Sequence, residues 1–240
     1  MSIRGKVVAA AAVLTLAGGV SAAGTLAAQA ATPSCYEHCI ELYTSKFGPS
    51  FILDVLLHRA KAGQPITLYR ASNNDAGEDF TIVFSARVSR FAALGLVSPA
   101  VAAHYGGTCA RVSSATHNCV SHYPNYWAYE FEYAPYGVTS DLCVGVAETA
   151  ADGTKVALEP CGSARTTWVA DSGAAVGNRA VPLISGSDTS VADPCVLNYP
   201  RSAVPFQMPT PQLTTWALSR HPNGAVFGNQ LWSAGFGPLL

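Results

Sequence analysis

Alternation of apolar and polar residues marks much of this chain as strand. The clearest case spans 141–171. Cys143 opens a short strand, Val144-Gly145-Val146, and a polar turn follows with Asp152-Gly153 at its tip. Val156 and Leu158 then face one way and Ala157 and Glu159 the other, up to Cys161. Alternation around a Gly turn predicts a hairpin. Thr166-Thr167-Trp168 comes next, and Val169 starts a third strand. Upstream, Ile66-Thr67-Leu68-Tyr69, a turn cluster at Ser72–Asp75 with Gly77, and Thr81-Ile82-Val83-Phe84 repeat that layout, with Phe80 standing where Trp168 stands. From Trp127 to Tyr133, Trp127, Tyr129, Phe131 and Tyr133 share one face, and Ala128, Glu130 and Glu132 the other. Period-two spacing makes this a strand with an aromatic core face and a solvated outer face. Shorter strands are expected at 181–184, 195–198 and 231–234, with Asn223-Gly224 as a hairpin turn signal.

Two stretches change to helical spacing. Over 35–61, Cys39, Leu42 and Tyr43 recur at that spacing; beyond Gly48-Pro49, Phe51, Ile52, Val55 and Leu56 fall on one face, with Lys61 in the last turn and Gly63 as a stop. Over 86–104, Val88, Phe91, Ala92 and Leu94 share a side, and Pro99 starts a second turn. Residues 105–126 are polar, so 85–126 as a whole is an insertion.

A repeat underlies the strands. Thr166-Thr167-Trp168 and Thr214-Thr215-Trp216 lie 48 residues apart, and Phe80 lies about one period plus the insertion before Trp168. A strand-rich period of about 40–50 residues, met three times, predicts a three-fold β architecture. Asn229-Gln230-Leu231-Trp232 offers another register, but the strand spacing after Trp216 parallels that after Trp168, which favours Trp216.

The 141–171 run resembles one repeat of the ricin-type β-trefoil family. The residues that carry the resemblance are Leu142, Cys143, Val146, Gly153, Thr154, Val156, Leu158, Pro160, Cys161 and Trp168. It implies a mainly β fold: a β-trefoil-like body over 63–240, with an N-terminal helical segment over 31–62 and the helical and loop insertion, about 85–126, in the first repeat. The family's sugar site uses an Asp two residues after the first Cys, a Gln and an aromatic residue on the next strand, and an Asn-Gln pair before the Trp. Gly145, Ala157, Glu159 and Arg165-Thr166 hold those positions here. In this repeat the resemblance therefore implies the scaffold and not its sugar site, and fold alone does not give function.

Composition narrows the setting. Of the 240 residues, 12% are charged, about half the usual soluble share, and net charge is −1. That balance argues against nucleic acid or an anionic membrane surface as partner. Arg4 and Lys6, an Ala-rich apolar stretch and Ala28-Gln29-Ala30 predict a signal peptide over 1–30, a secreted product and no membrane association after cleavage. All seven cysteines follow it, so disulfides are expected. Cys143 with Cys161 would staple the hairpin, and Cys109 with Cys119 would close a short loop. Cys35, Cys39 and Cys195 leave one over; a Cys35–Cys39 bridge is awkward on one helix, and Cys195 pairing with either would tie the N-terminal segment to the body.

The sequence carries no nucleophile elbow and no Ser-x-x-Lys. His117-x-Cys119-x-x-His122 with Cys109 could form a zinc site, but export favours the disulfide, so no metal and no cofactor are expected. Glu130 and Glu132 share a face, as a glycosidase pair would, yet a solvated outer face explains them equally. Tyr123, Tyr126, Trp127, Tyr136 and Trp232 could stack on sugars. With Trp168 and Trp216 assigned to the core, the aromatics of 105–137, namely Tyr123, Tyr126, Trp127 and Tyr136, are the binding candidates. The expected function is a secreted, non-catalytic binding module for an extracellular glycan or cell-wall polymer; the alternatives are a protein-interaction or inhibitor protein on the same scaffold and, less favoured, a glycoside hydrolase.

Overall fold

The apolar alternation resolves into three successive groups of four strands. They are seen in a computed structural model that describes residues 39–72, 75–107, 124–175, 180–200 and 211–234, together with the backbone of 109–112 and 119–122. The expected signal peptide, Cys35, His117 and Tyr123 lie outside the described residues. The first group is β1 (Leu42–Thr44), β2 (Phe51–Val55), β3 (Ile66–Arg70) and β4 (Phe80–Arg87). Helices α1 (Val88–Ala93) and α2 (Pro99–Tyr105) and a small hairpin, β5 (Cys109–Val112) with β6 (Cys119–His122), are then inserted. The second group is β7 (Trp127–Tyr133), β8 (Leu142–Val146), β9 (Val156–Pro160) and β10 (Trp168–Ala170). The third is β11 (Leu183–Ser185), β12 (Cys195–Asn198), β13 (Thr214–Ala217) and β14 (Trp232–Ala234).

The first and fourth strands of each group form a closed ring. β1 pairs with β14, β11 with β10, β10 with β7, and β7 with β4. Bridges Val181↔Trp232 and Ile40↔Phe80 close the two remaining seams. Closure leaves the ring no free edge. The second and third strands form hairpins β2–β3, β8–β9 and β12–β13. They meet one another through Pro65↔Ala157, Lys155↔Thr214 and a bond from Leu213 N–H to the Ile66 carbonyl. A six-stranded barrel capped by three hairpins in this order is a β-trefoil.

Phe80, Trp168 and Trp232 open the fourth strands, and all three are fully buried in one core with Leu53, Leu68, Val144, Leu158 and Leu197. The two indoles bond alike: Trp168 Nε1 donates to the Val144 carbonyl and Trp232 Nε1 to that of Leu197, each at 2.8 Å. Trp232, and not Trp216, is thus the third-repeat counterpart of Trp168. Trp216 lies on the third strand of its group and is 45% exposed. The register based on Trp216 is corrected, and Asn229-Gln230-x-Trp232 is the repeat element.

The N-terminal helical segment expected over 31–62 is also corrected where it is described. Residues 42–44 and 51–55 are strands of the first repeat, so the trefoil starts at β1 and not at 63. Phe51–Val55 is a continuous apolar run interrupted only by Asp54, and four of its five residues are buried. A strand covered on both faces loses its alternation, and such a run cannot be told from a helix by periodicity.

The helices of the insertion cover part of the barrel's outside. Val88, Phe91, Val101 and Tyr105 pack on Ala128, Val169, Ile184 and Val196. Ser98 caps α2 by accepting from Val101 N–H at 3.1 Å.

Cys143 and Cys161 are disulfide-bonded across the second hairpin's base, with Cα atoms 5.0 Å apart. A loop of this size is worth about 3 kcal/mol in the chain-entropy picture. Cys39 is disulfide-bonded as well. Cys195 is a buried free thiol and so ties nothing to the N-terminal segment. Burial, and after it Asp188, Asp152 and Asp193, pushes that thiol up to about 12. The side chains of Cys109 and Cys119 lie outside those described. Among the described residues no helix is long and apolar enough to cross a membrane.

Candidate functional site

Three-fold symmetry places one groove on each repeat. Register partners across the hairpins define equivalent positions: Asp54↔Thr67, Gly145↔Ala157 and Asn198↔Thr214. Two residues further along the third strand stand Tyr69, Glu159 and Trp216. Before the buried aromatic of the fourth strand stand Gly77-Glu78, Arg165-Thr166 and Asn229-Gln230.

The second groove is filled. A Cβ at Gly145 would meet Thr166 Cγ2 at 2.8 Å and the Arg165 carbonyl at 3.0 Å, so no larger side chain fits. Glu130 and Glu132 are buried beneath this hairpin, not solvated. Glu130 Oε1 accepts from Gly162 N–H at 2.8 Å and Thr166 Oγ1 at 2.7 Å, and Glu132 Oε1 from Asp141 N–H at 2.7 Å. Both carboxylates fasten loop backbone. The outward face that alternation assigns them is covered by chain from 141 and 162–166, which a local pattern does not register.

The third groove is open. Asn198, Pro200, Thr214, Trp216, Ser219, Asn229 and Gln230 line a cleft of ≈ 560 Å³. Its floor is a buried amide pair: Asn229 Nδ2 donates to Asn198 Oδ1 and to the Tyr199 carbonyl, both at 2.8 Å. Asn198 Nδ2 donates to Thr214 Oγ1 at 3.2 Å. With both amide hydrogens of Asn229 committed, its carbonyl oxygen is left as an acceptor; Asn198 keeps one N–H and Thr214 its hydroxyl hydrogen. Gln230 has a different task. Its Oε1 accepts from Ser219 N–H at 2.8 Å and its Nε2 donates to the Ala217 carbonyl at 2.9 Å, which pins the chain just beyond Trp216. The second repeat's turn supports the same strand from behind: Asp152 Oδ1 accepts from Ala217 N–H at 2.6 Å, and Gly153 N–H donates to the Thr215 carbonyl at 2.9 Å. An exposed indole on a fixed strand thus overlooks neutral donors and acceptors. No charged side chain lines the cleft among the described residues.

The first groove is acidic. Asp54, Asp75 and Glu78 crowd it with His58, whose Nε2 lies 3.0 Å from Asp75 Oδ1. Burial, with Asp75 adding and His58 opposing, lifts the Asp54 carboxyl from 3.8 to about 6. Burial lifts Glu78 from 4.5 to about 8; bonds from Ser72 N–H to both of its oxygens oppose that rise, and Asp75, Asp54 and Glu41 add to it. Folded Glu78 therefore holds a proton between about pH 4.5 and 8 that the unfolded chain has released. A raised carboxyl stabilises the fold below its unfolded value, and that stability is lost as pH rises through the folded one. Urea titrations from pH 4.5 to 8 are expected to show falling stability, with Glu78→Gln flattening the slope by on the order of 2–3 kcal/mol over the window. An equal slope in the variant would remove Glu78 as its source.

The aromatics favoured from the sequence do not converge. Tyr126 is half-buried against Tyr105, with ring centroids 5.3 Å apart. Trp127 opens β7, partly buried, with the Arg87 guanidinium 4.7 Å over its ring. Tyr136 is 42% exposed in a turn beyond the other end of β7. That strand is roughly 20 Å long at about 3.3 Å per residue, so Trp127 and Tyr136 do not share one platform. The cleft residues Asn198, Trp216, Asn229 and Gln230 were missed as a site by sequence reasoning, although the Asn-Gln-x-Trp signal at 229–232 contains two of them, Asn229 and Gln230.

No family model matches the chain, and no curated protein matches it. Among solved structures, the designed 3-fold symmetric protein ThreeFoil is similar over 81% of this chain and 96% of its own, at 13% identity and a TM-score of 0.49. The S. cerevisiae protein O-mannosyltransferase Pmt1-Pmt2 complex, bound to its sugar donor, is similar over 82% of this chain and 24% of that one, at 13% identity and a TM-score of 0.40. Both likenesses are weak, and the trefoil stands on the strand pairing.

Proposed function

We propose that the protein is a secreted, non-catalytic carbohydrate-binding module whose sugar site is the third-repeat cleft. The observation that carries this reading is Trp216, 45% exposed, standing over the buried Asn198–Asn229 pair. A sugar ring offers C–H faces to an aromatic plane and hydroxyls that both donate and accept, and shallow apolar sites with a few placed polar groups suit such ligands. The positions are also those at which the ricin-type resemblance has its sugar ligands, with Asn198 for the Asp, Thr214 for the Gln, and Trp216, Asn229 and Gln230 in kind. A cleft with no charged side chain among the described residues favours a neutral sugar over a uronic or sialic acid. The charged start of the chain with its Ala-rich stretch, and the Cys143–Cys161 disulfide, support export. The bonds already made by Glu130 and Glu132 support a non-catalytic role.

The test is binding of the purified protein to an array of glycans and insoluble polysaccharides. Saturable retention on neutral glycans that persists in salt and is displaced by the free sugar is the expected result. A blank array from protein whose near-ultraviolet circular dichroism shows a packed core would overturn the reading and turn attention to protein partners.

A further inference from the structure

The first groove holds a ligand set unlike that of the other two. Asp54 stands where the third repeat has Asn198, and His58 and Asp75 reach it from the two flanking turns. His58 Nε2 lies 3.0 Å from Asp75 Oδ1 and 3.8 Å from Asp54 Oδ2, and the three atoms that could ligate all lie within 4.8 Å of one another. A tetrahedral cation with bonds of about 2.0–2.2 Å needs ligand atoms about 3.3–3.6 Å apart. Small side-chain shifts bring the set to that size.

A second, independent observation concerns polar atoms without partners. Asp54 is 3% exposed, and its Oδ2, the atom turned toward His58, has no hydrogen bond. The Thr67 hydroxyl, on Asp54's register partner, and the buried Tyr133 hydroxyl are also unpartnered. Burial, and then Asp54, Asp79 and Asp75, raise that tyrosine's titration. Buried polar groups are normally satisfied, so such a group in a folded protein points to something that fills its place. Space for it is kept by Gly77, where a Cβ would stand 2.4 Å from Asp54 Oδ2 and 2.6 Å from His58 Cδ2.

We propose that Asp54, His58 and Asp75 bind a divalent transition-metal cation of the zinc type. One imidazole and two carboxylates balance its charge, and the nitrogen donor selects against calcium, which takes six to eight oxygens. The His58 side chain is 47% exposed, so the ion enters from solvent and its fourth position faces outward. Bound there, the ion fastens the turns at 56–58 and 75–78 to β2. The site is separate from the carbohydrate cleft and does not depend on it.

The test uses the full chain, purified without a histidine tag, stripped with EDTA and titrated with zinc chloride by calorimetry. One zinc per chain and a rise in melting temperature are expected. His58→Asn and Asp75→Asn should each weaken binding at least tenfold. Asn tolerates the left-handed backbone at 58, where φ is 52°, and at 75 its Oδ1 can still accept from Gly77 N–H. Unchanged circular dichroism of both variants establishes that the fold is kept. Absence of zinc binding, or binding that His58→Asn leaves unchanged, overturns the proposal. Binding lost only when His117 and His122 are replaced by Ala also overturns it, by assigning the ion to the inserted loop.

Discussion

Trp232→Ala is expected to cost about 3–5 kcal/mol of folding stability, the range for deleting a fully buried large aromatic. The indole is 0% exposed and sits at the last seam of the barrel. Its backbone exchanges bonds of 2.9 Å with Val181 in both directions, and β14 pairs with β1. Truncation leaves a cavity in the core and strips the Leu197 carbonyl of its donor. Trp232→Phe isolates the second effect. Phe80 fills the matching place in the first repeat, so a phenyl ring suits the site, and the cost should fall to about 1–2 kcal/mol for the lost buried hydrogen bond and volume. Urea midpoints at constant slope measure both. A Trp232→Ala variant within 1 kcal/mol of the parent would refute the placement of the indole in the core.

Trp216→Ala is expected to do the opposite. Its ring is nearly half exposed, so stability should change by less than about 1 kcal/mol. Sugar affinity should fall about 10- to 100-fold, which is the loss of roughly 1.4–2.8 kcal/mol of stacking and apolar contact. Asn198, Thr214 and Asn229 would still offer their hydrogen bonds, but with no plane to orient the ring against them. Isothermal titration with whichever neutral sugar the array returns measures the change. Undiminished affinity in a folded Trp216→Ala protein would move the binding site elsewhere. The two tryptophans, alike in the sequence as strand aromatics, are thereby separated by which quantity each one moves.

Local pattern made the second repeat readable. Alternation around Asp152-Gly153, bracketed by Cys143 and Cys161, gave hairpin and disulfide together, and Phe80 and Trp168 were matched correctly as equivalent. Helical spacing also marked Val88 and Phe91, the α1 residues that pack on the barrel, but it wrongly included Leu94, which is exposed beyond the end of that helix. Three features were hidden, the first two by long-range cover and the third by an echo in the sequence. Phe51–Val55 lost its alternation because both faces are buried. Glu130 and Glu132 took the outward face of an ordinary strand, and only the chain folding back from 141 and 162–166 buries them. The third repeat's register was obscured because Thr214-Thr215-Trp216 echoes Thr166-Thr167-Trp168 in sequence while occupying another strand. Asn229-Gln230-x-Trp232 held both the correct register and the candidate site, and it became decisive only once the two indole bonds were seen to match.

The barrel's last seam has a consequence for how the chain is made. Leu42 faces Ala234 and Thr44 faces Trp232, so the beginning and the end of the folded body zip to each other. Until the final strand has been delivered, β1 and β11 each keep the side that faces β14 without a partner. Contacts this far apart in sequence form late and slowly. A nascent chain is thereby kept from completing its barrel while its C-terminal residues are still being synthesised, so the barrel locks only once the whole body has been made.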